Sequence, residues 1–224
     1  MPRTKRIAPG GMVFHALNRG VGRRKIFSTD RDYLAFEETV EETLRRYPMR
    51  ILGSCWLPNH WHFVLWPEED GQLSAFLQRL TNTHTQRWQR AKQKVGYGHL
   101  YQGRFQSFPV ETDEHFYTVI RYVERNALRA NLCETAEAWR WGSLWRRTNN
   151  VRAPLLSDWP LPEPRNWTKL VNTPQTEAEL AAIRRRVQRG SPLGSEAWVQ
   201  ATARALGLTS TLRPRGRPKV EPEE

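Results

Sequence analysis

Two histidines one residue apart, His60 and His62, interrupt the apolar segment LPNHWHFVLWP, Leu57 to Pro67. The segment suits a buried strand, and side chains two apart on a strand leave from the same face. Both imidazoles therefore share one face, and Trp61 takes the other. A side-by-side pair offers two nitrogen ligands to a metal, or forms a hydrogen-bonded pair in a groove. By itself it is only part of a coordination shell. The stretch TDEHFYTVIRYVERNALRAN adds to it. At helical spacing, Phe116, Val119, Ile120, Val123 and Ala127 form one apolar stripe that must face a sheet. Tyr122 and Asn126 lie four apart on one flank of that stripe, a flank shared by His115 and Arg129. A tyrosine beside a core is ordinarily packing, and an asparagine one turn on is ordinarily solvated. With His60 and His62 they become a mixed set of imidazole nitrogens, a hard amide oxygen and a nucleophilic hydroxyl. Such a set suits Mg²⁺ or Mn²⁺ assisting attack on a phosphodiester.

The elements that must hold these residues can be read along the chain. GMVFHALNRG (Gly11 to Gly20) reads as a strand ending in a glycine turn. STDRDYLAFEETVEETLRRY opens with Ser28, Thr29 and Asp30 as candidate caps and continues as an amphipathic helix. MRILGSCWLP and WHFVLW are two strands joined across Pro58-Asn59. Gly71 to Lys94 is a long basic helix, and Gly103 to Glu111 alternates like a strand. The helix bearing Tyr122 follows, capped by Thr112 or Asp113. The order β-α-β-β-α-β-α predicts an α+β fold: a ferredoxin-like split βαβ with a central antiparallel sheet and helices on one face. This core is expected to span residues 1–150, followed by a proline-rich connector over 151–175. A small helical C-terminal segment is expected over 176–207, with helices at Thr176 to Arg189 and Ser195 to Leu206. Residues 208–224 read as a basic disordered tail.

The chain of 224 residues carries 35 Lys+Arg against 23 Asp+Glu, a net charge of +12. That excess points to a polyanionic partner, most often nucleic acid. With no signal-peptide pattern and no apolar run of roughly 18 residues, the protein is expected in the cytoplasm, at the nucleoid, without a membrane partner. Cys55 and Cys133 form no CxxC and read as small core residues.

CWLPNHWHFVLWP resembles the HUH signature (His, hydrophobic residue, His) of the single-tyrosine transposases of the IS200-like family. NRGVGRRKIF, HLYQGRFQSFPVE and IRYVERNALRANL resemble flanking blocks of one branch, the REP-associated tyrosine transposases, and GSPLGSEAWVQATARALGLTSTLRPRGRPK resembles its C-terminal segment. Ala127 departs from that branch, which usually carries proline after the asparagine. The resemblance implies that His60 and His62 are metal ligands, that Asn126 is the third, and that Tyr122 is the catalytic nucleophile. It also implies the reaction: attack by Tyr122 on single-stranded DNA, a 5′-phosphotyrosine link with a free 3′-OH, and later rejoining. The implied partners are hairpins of repetitive extragenic palindromes. Insertion-sequence relatives donate the tyrosine in trans within dimers, whereas this branch is thought to act as monomers, the state expected here.

Several basic residues fit such a ligand. Arg19, Arg23, Arg24 and Lys25 form a basic loop after the first strand, and Arg79, Arg87, Arg90, Lys92 and Lys94 dot the second helix around Trp88. Arg104 and Arg129 lie in the matching blocks. Arginine and lysine neutralise phosphates and aromatics stack on unpaired bases, although any one such residue is ordinarily a solvated helix face. RPRGRPK, Arg213 to Lys219, resembles an AT-hook, in which Arg215 and Arg217 would enter a narrow minor groove, with Arg213 a further DNA contact. The competing reading there is a nonspecific basic tail. Two functions remain open on the sequence: a metal-dependent DNA strand transferase, and a non-cleaving hairpin-binding architectural or regulatory protein. A replication initiator or relaxase is a weaker third, since those proteins often carry the tyrosine near the N-terminus.

Overall fold

The computed structural model describes residues 7–96 and 98–213. Its centre is a four-stranded antiparallel sheet in the order β2-β3-β1-β4. The strands are β1 (Val13–Arg19), β2 (Arg50–Leu57), β3 (His60–Trp66) and β4 (Gln106–Val110). Helix α1 (Asp30–Arg46) links β1 to β2, and α2 (Gln72–Ala91) links β3 to β4. This is the split βαβ connectivity expected. Thr29 caps α1, its N–H reaching Asp32 Oδ2 at 3.2 Å. Gly71 opens α2 at φ 79°, a left-handed conformation that favours glycine.

After β4 come α3 (Glu114–Glu124) and α4 (Asn126–Arg129), then α5 (Ser143–Thr148) and α6 (Trp167–Asn172). Two further helices, α7 (Glu177–Arg189) and α8 (Glu196–Ala205), are capped by Thr176 and Ser195 and match the two expected C-terminal helices. Asp113 caps α3 by accepting from the His115 N–H at 2.8 Å.

The expectation of helices on one face holds for α1 and α2 alone. On their side, Phe14, Ile51, Trp56, Trp61, Phe63 and Leu65 pack against Phe36 and Val40 of α1 and Phe76, Leu77 and Leu80 of α2. The opposite face is equally apolar, with Val13, Leu52, Cys55, Val64, Phe108 and Val110, and α3 covers it through Phe116, Val119, Ile120 and Val123. A sheet with two apolar faces must be covered twice. The near-continuous apolar run of β3 is the pattern of a strand buried on both sides.

The same second core contains Trp167, Val171, Leu180, Ile183 and Leu193, so the segments after residue 150 share one interior with the sheet. The proline-rich stretch is not a bare connector, because α6 forms within it. A β-bulge in β2 is central to this packing: the pairing with β3 shifts between Ile51 and Gly53. The Leu52 carbonyl accepts from the Arg147 guanidinium at 2.6 Å and the Trp159 indole at 2.7 Å. On the outer edge of β4, Leu193 exchanges backbone bonds of 2.9 Å with Pro109 and Glu111, which covers that edge. The tail expected over 208–224 is ordered at its start, where Thr209–Thr211 form a 3-10 turn and Arg189 donates to the Thr211 carbonyl at 2.6 Å. The remaining AT-hook residues, including Arg215 and Arg217, lie outside the described residues.

Candidate active site

The β1–β3 register sets Leu17 opposite His62 and Arg19 opposite His60, while Cys55 of β2 flanks His62 from the other side. Both histidines point to the α3 face, with Trp61 buried on the α1–α2 face. The two rings stand edge to face, their centroids 5.0 Å apart. The buried ring of Tyr122 meets His62 edge-on at 6.0 Å. Asn126 is buried too, but it does not continue one regular helix. The chain turns at Arg125, where α3 ends and α4 begins. Arg125 still donates its N–H to the Arg121 carbonyl at 3.0 Å, and Arg129 donates to that of Arg125 at 2.9 Å. The turn thus keeps Tyr122, Asn126 and Arg129 on one side. The Arg129 guanidinium carbon lies 4.2 Å from the Tyr122 ring centre, and the guanidinium donates to Asn126 Oδ1.

Burial decides the charge of the imidazoles. It is the largest cause holding His60 down to about 4, with Arg19 and Arg129 adding to it. Burial likewise holds His62 well below its ordinary value, helped by His60, His15 and the same arginines. At neutral pH both rings are therefore neutral and keep a lone pair. His60 Nδ1 lies 2.5 Å from Asn59 Oδ1, so it donates there and its Nε2 carries the lone pair. His62 Nδ1 lies 2.9 Å from His15 Nε2, in a buried contact across the ladder. With His62 as the donor, its Nε2 is likewise free. Two such nitrogens and the Asn126 amide oxygen are ligands a divalent Mg²⁺ or Mn²⁺ accepts, so the residues fit the implied metal.

The described residues include another grouping of ligand atoms, Glu111, Asp113 and His115, within 4.8 Å of one another. Their geometry is that of helix caps. Glu111 accepts from the Ser195 N–H at 2.6 Å ahead of α8, while Asp113 caps α3 and holds the His115 ring at 2.8 Å. The positive end of α3 also disfavours a cation there. His115 belongs to this cap and has no contact with His60 or His62 among the described residues.

The basic residues divide. Arg23, Arg24 and Lys25 are exposed beside the site, because their loop is bonded to the Pro58-Asn59 turn: Ile26 N–H reaches the Pro58 carbonyl at 2.7 Å. Arg19 and Arg104 line a cleft of about 370 Å³ together with Leu17, Gln106 and, from α7, Val187 and Gln188. Arg79 is exposed on α2, and Arg213 at the chain's described end. Arg87 instead pairs with Glu42 at 2.7 Å. Trp88 is a correction to the base-stacking expectation: its indole donates to the Ile26 carbonyl at 3.0 Å and its ring packs on the core. Its spacing on α2 gave no sign of that bond, which depends on a loop sixty residues earlier. Sequence reasoning also missed His15 and Asn59, the partners of His62 and His60. Alternation along VFHALNR was the available signal for His15, but strand register was not.

Comparison with known proteins gives the family. Residues 10–126, over half of the chain, match the family model described as "Transposase IS200 like". The chain belongs to the IS200-like transposase family. A solved structure described as "Structure of the REP associates tyrosine transposase bound to a REP hairpin" is similar, with a TM-score of 0.54 and 16% sequence identity. The match covers 79% of this chain and 100% of that one, and it supports the same fold. No curated protein matches the chain. No helix among the described residues is long and apolar enough to cross a membrane.

Proposed function

We propose that the protein cleaves and rejoins single-stranded DNA beside palindromic hairpins, with a divalent cation held by His60, His62 and Asn126. The observation that carries this reading is the histidine pair of β3, its ring centres 5.0 Å apart, with the buried His62 meeting the Tyr122 ring at 6.0 Å. Two uncharged imidazoles beside a tyrosine have no evident packing purpose, and burying them takes polar groups out of water. Their lone pairs suit a cation, which when bound supplies electrostatic stabilisation of the charge developing on phosphate.

The Tyr122 hydroxyl attacks phosphorus. A bond forms from Tyr122 Oη to phosphorus, the bond from phosphorus to the 3′ oxygen breaks, and the tyrosine proton ends on the released 3′-OH. The product is a 5′-phosphotyrosine, whose bond energy is retained for rejoining by a later 3′-OH. Residues 1–150 carry this machinery, and the segments after them support it. Arg19, Arg23, Arg24, Lys25 and Arg104 supply phosphate contacts beside the site; Arg79, Arg213 and the basic tail supply further ones. The hairpin in the similar solved structure, the family membership and the charge of +12 support that ligand.

The test is incubation with labelled single-stranded repeats of the palindromic class and Mg²⁺ or Mn²⁺. A covalent protein–DNA adduct is expected, with His60→Ala abolishing it while hairpin binding stays within about threefold, because phosphate contacts dominate affinity. Undiminished adduct formation in EDTA would exclude the metal-dependent reading.

A further inference from the structure

Among the described residues, two guanidiniums at the site pair with no carboxylate. Arg19 stands opposite His60 in the β1–β3 ladder, and directly opposed residues send their side chains to the same face. Arg129 approaches from the α4 side, stacked on Tyr122. The two approach the histidine pair from opposite elements, since the His60 and His62 ring centres are 5.0 Å apart and the Tyr122 ring under Arg129 lies 6.0 Å from that of His62. Arg19 Nε and Arg129 Nη1 are buried donors with no hydrogen-bond acceptor, and among the described residues neither guanidinium pairs with a carboxylate. Two like charges without an acid repel each other, and an anion placed between them relieves the repulsion.

Asn126 carries the second anomaly. Its Oδ1 accepts from Arg129, while its Nδ2 is buried without a partner. The oxygen wanted for a cation is therefore already occupied by one. A guanidinium and a divalent ion sharing that oxygen would come into near contact, where like charges repel most strongly.

We propose that Arg129 gates the site: it holds Asn126 Oδ1 until a DNA phosphate enters between Arg129 and Arg19, so that divalent cation and single-stranded DNA bind cooperatively. This rests on the metal site proposed above and adds an order to its assembly. Arg129 turns its unsatisfied donor to the phosphate and frees the asparagine oxygen. A protein built this way holds its cation weakly until DNA is present.

The test measures Mn²⁺ affinity by electron paramagnetic resonance in full-length Tyr122→Phe protein, which keeps the ring under Arg129 and cannot cleave. Without DNA, adding Arg129→Gln is expected to tighten Mn²⁺ binding at least about tenfold, by removing the competing charge. Arg129→Met, which keeps the long apolar stem, is expected to do the same. A short oligo(dT) strand is expected to tighten Mn²⁺ binding severalfold in the parent and to leave Arg129→Gln unchanged. Equal Mn²⁺ affinity in parent and variants, or an equal oligo(dT) effect in both, overturns the gate. A His60→Ala arm separates the two readings. Mn²⁺ binding indifferent to His60→Ala removes the metal site and the gate together, whereas His60-dependent binding indifferent to Arg129 removes the gate alone.

Discussion

At the scale of single residues, the two tyrosines of α3 separate cleanly. Tyr122 faces His62, whereas the Tyr117 hydroxyl donates to the Pro162 carbonyl at 2.7 Å and its ring packs beside Trp159 and Trp167. Tyr122→Phe is expected to bind hairpin DNA normally and form no adduct, while Tyr117→Phe still cleaves. Peptide mapping of the adduct checks this, and an adduct on Tyr117 would refute the assignment. The opposite flanks of these tyrosines were legible in the sequence, because helical periodicity alone separates positions five apart. The shared face of His60 and His62 was legible for the same kind of reason, strand alternation. The partners that set their tautomers were not. His15 reaches His62 only through the register of β1 on β3, and the hold of Arg129 on Asn126 depends on the turn at Arg125. That turn contains neither proline nor glycine to announce it.

At the scale of elements, α3 rests on β2 where a side chain is missing. A Cβ at Gly53 would lie 2.9 Å from Ile120 Cδ1 and 3.4 Å from Ser143 Oγ. Ile120 lies two residues before Tyr122, so whatever lifts it shifts the tyrosine. Gly53→Leu is expected to destabilise the fold by about 1–3 kcal/mol through overpacking. It should also reduce adduct formation more than hairpin binding. Gly53→Ala should be milder, since the Ile120 methyl can yield. Thermal denaturation beside both assays decides it: intact cleavage in a destabilised Gly53→Leu would show that this contact does not position Tyr122. The larger elements were legible from caps and periodicity, as with Thr29 before α1 and Asp113 before α3. By contrast, α5 and α6 have six residues each, too few for a period to show, and they form because Trp167 and Leu144 find the second core. The covering of both sheet faces did have a signal, the near-continuous apolar run of β3, which the expectation of helices on one face did not use.

At the scale of the whole molecule, buried imidazoles make stability depend on pH even far from the site. His84 of α2 lies in the other core, bonded to the Tyr101 hydroxyl at 2.6 Å, and burial lowers its pKa from 6.5 to about 3. Between those values the unfolded chain takes up a proton that the folded chain refuses. Stability from this group is therefore full above 6.5 and is lost as the pH falls toward 3. His84→Gln should flatten the fall of Tm across that window, and an unchanged slope would count against burial as the cause. The fastening of α3 has a different consequence. Arg121 donates to the carbonyls of Leu170 and Thr173, Arg125 to that of Val171 at 2.8 Å, and the buried Glu124 carboxylate accepts from Ser143 and Trp167. The tyrosine helix is thus a middle layer, clasped between its own sheet and its own C-terminal half. Lending that helix to a second molecule would tear out all of these bonds. An equimolar mixture of His60→Ala and Tyr122→Phe proteins should consequently show no complementation. Recovery of adduct in the mixture would mean that the clasp opens and the tyrosine is shared between chains.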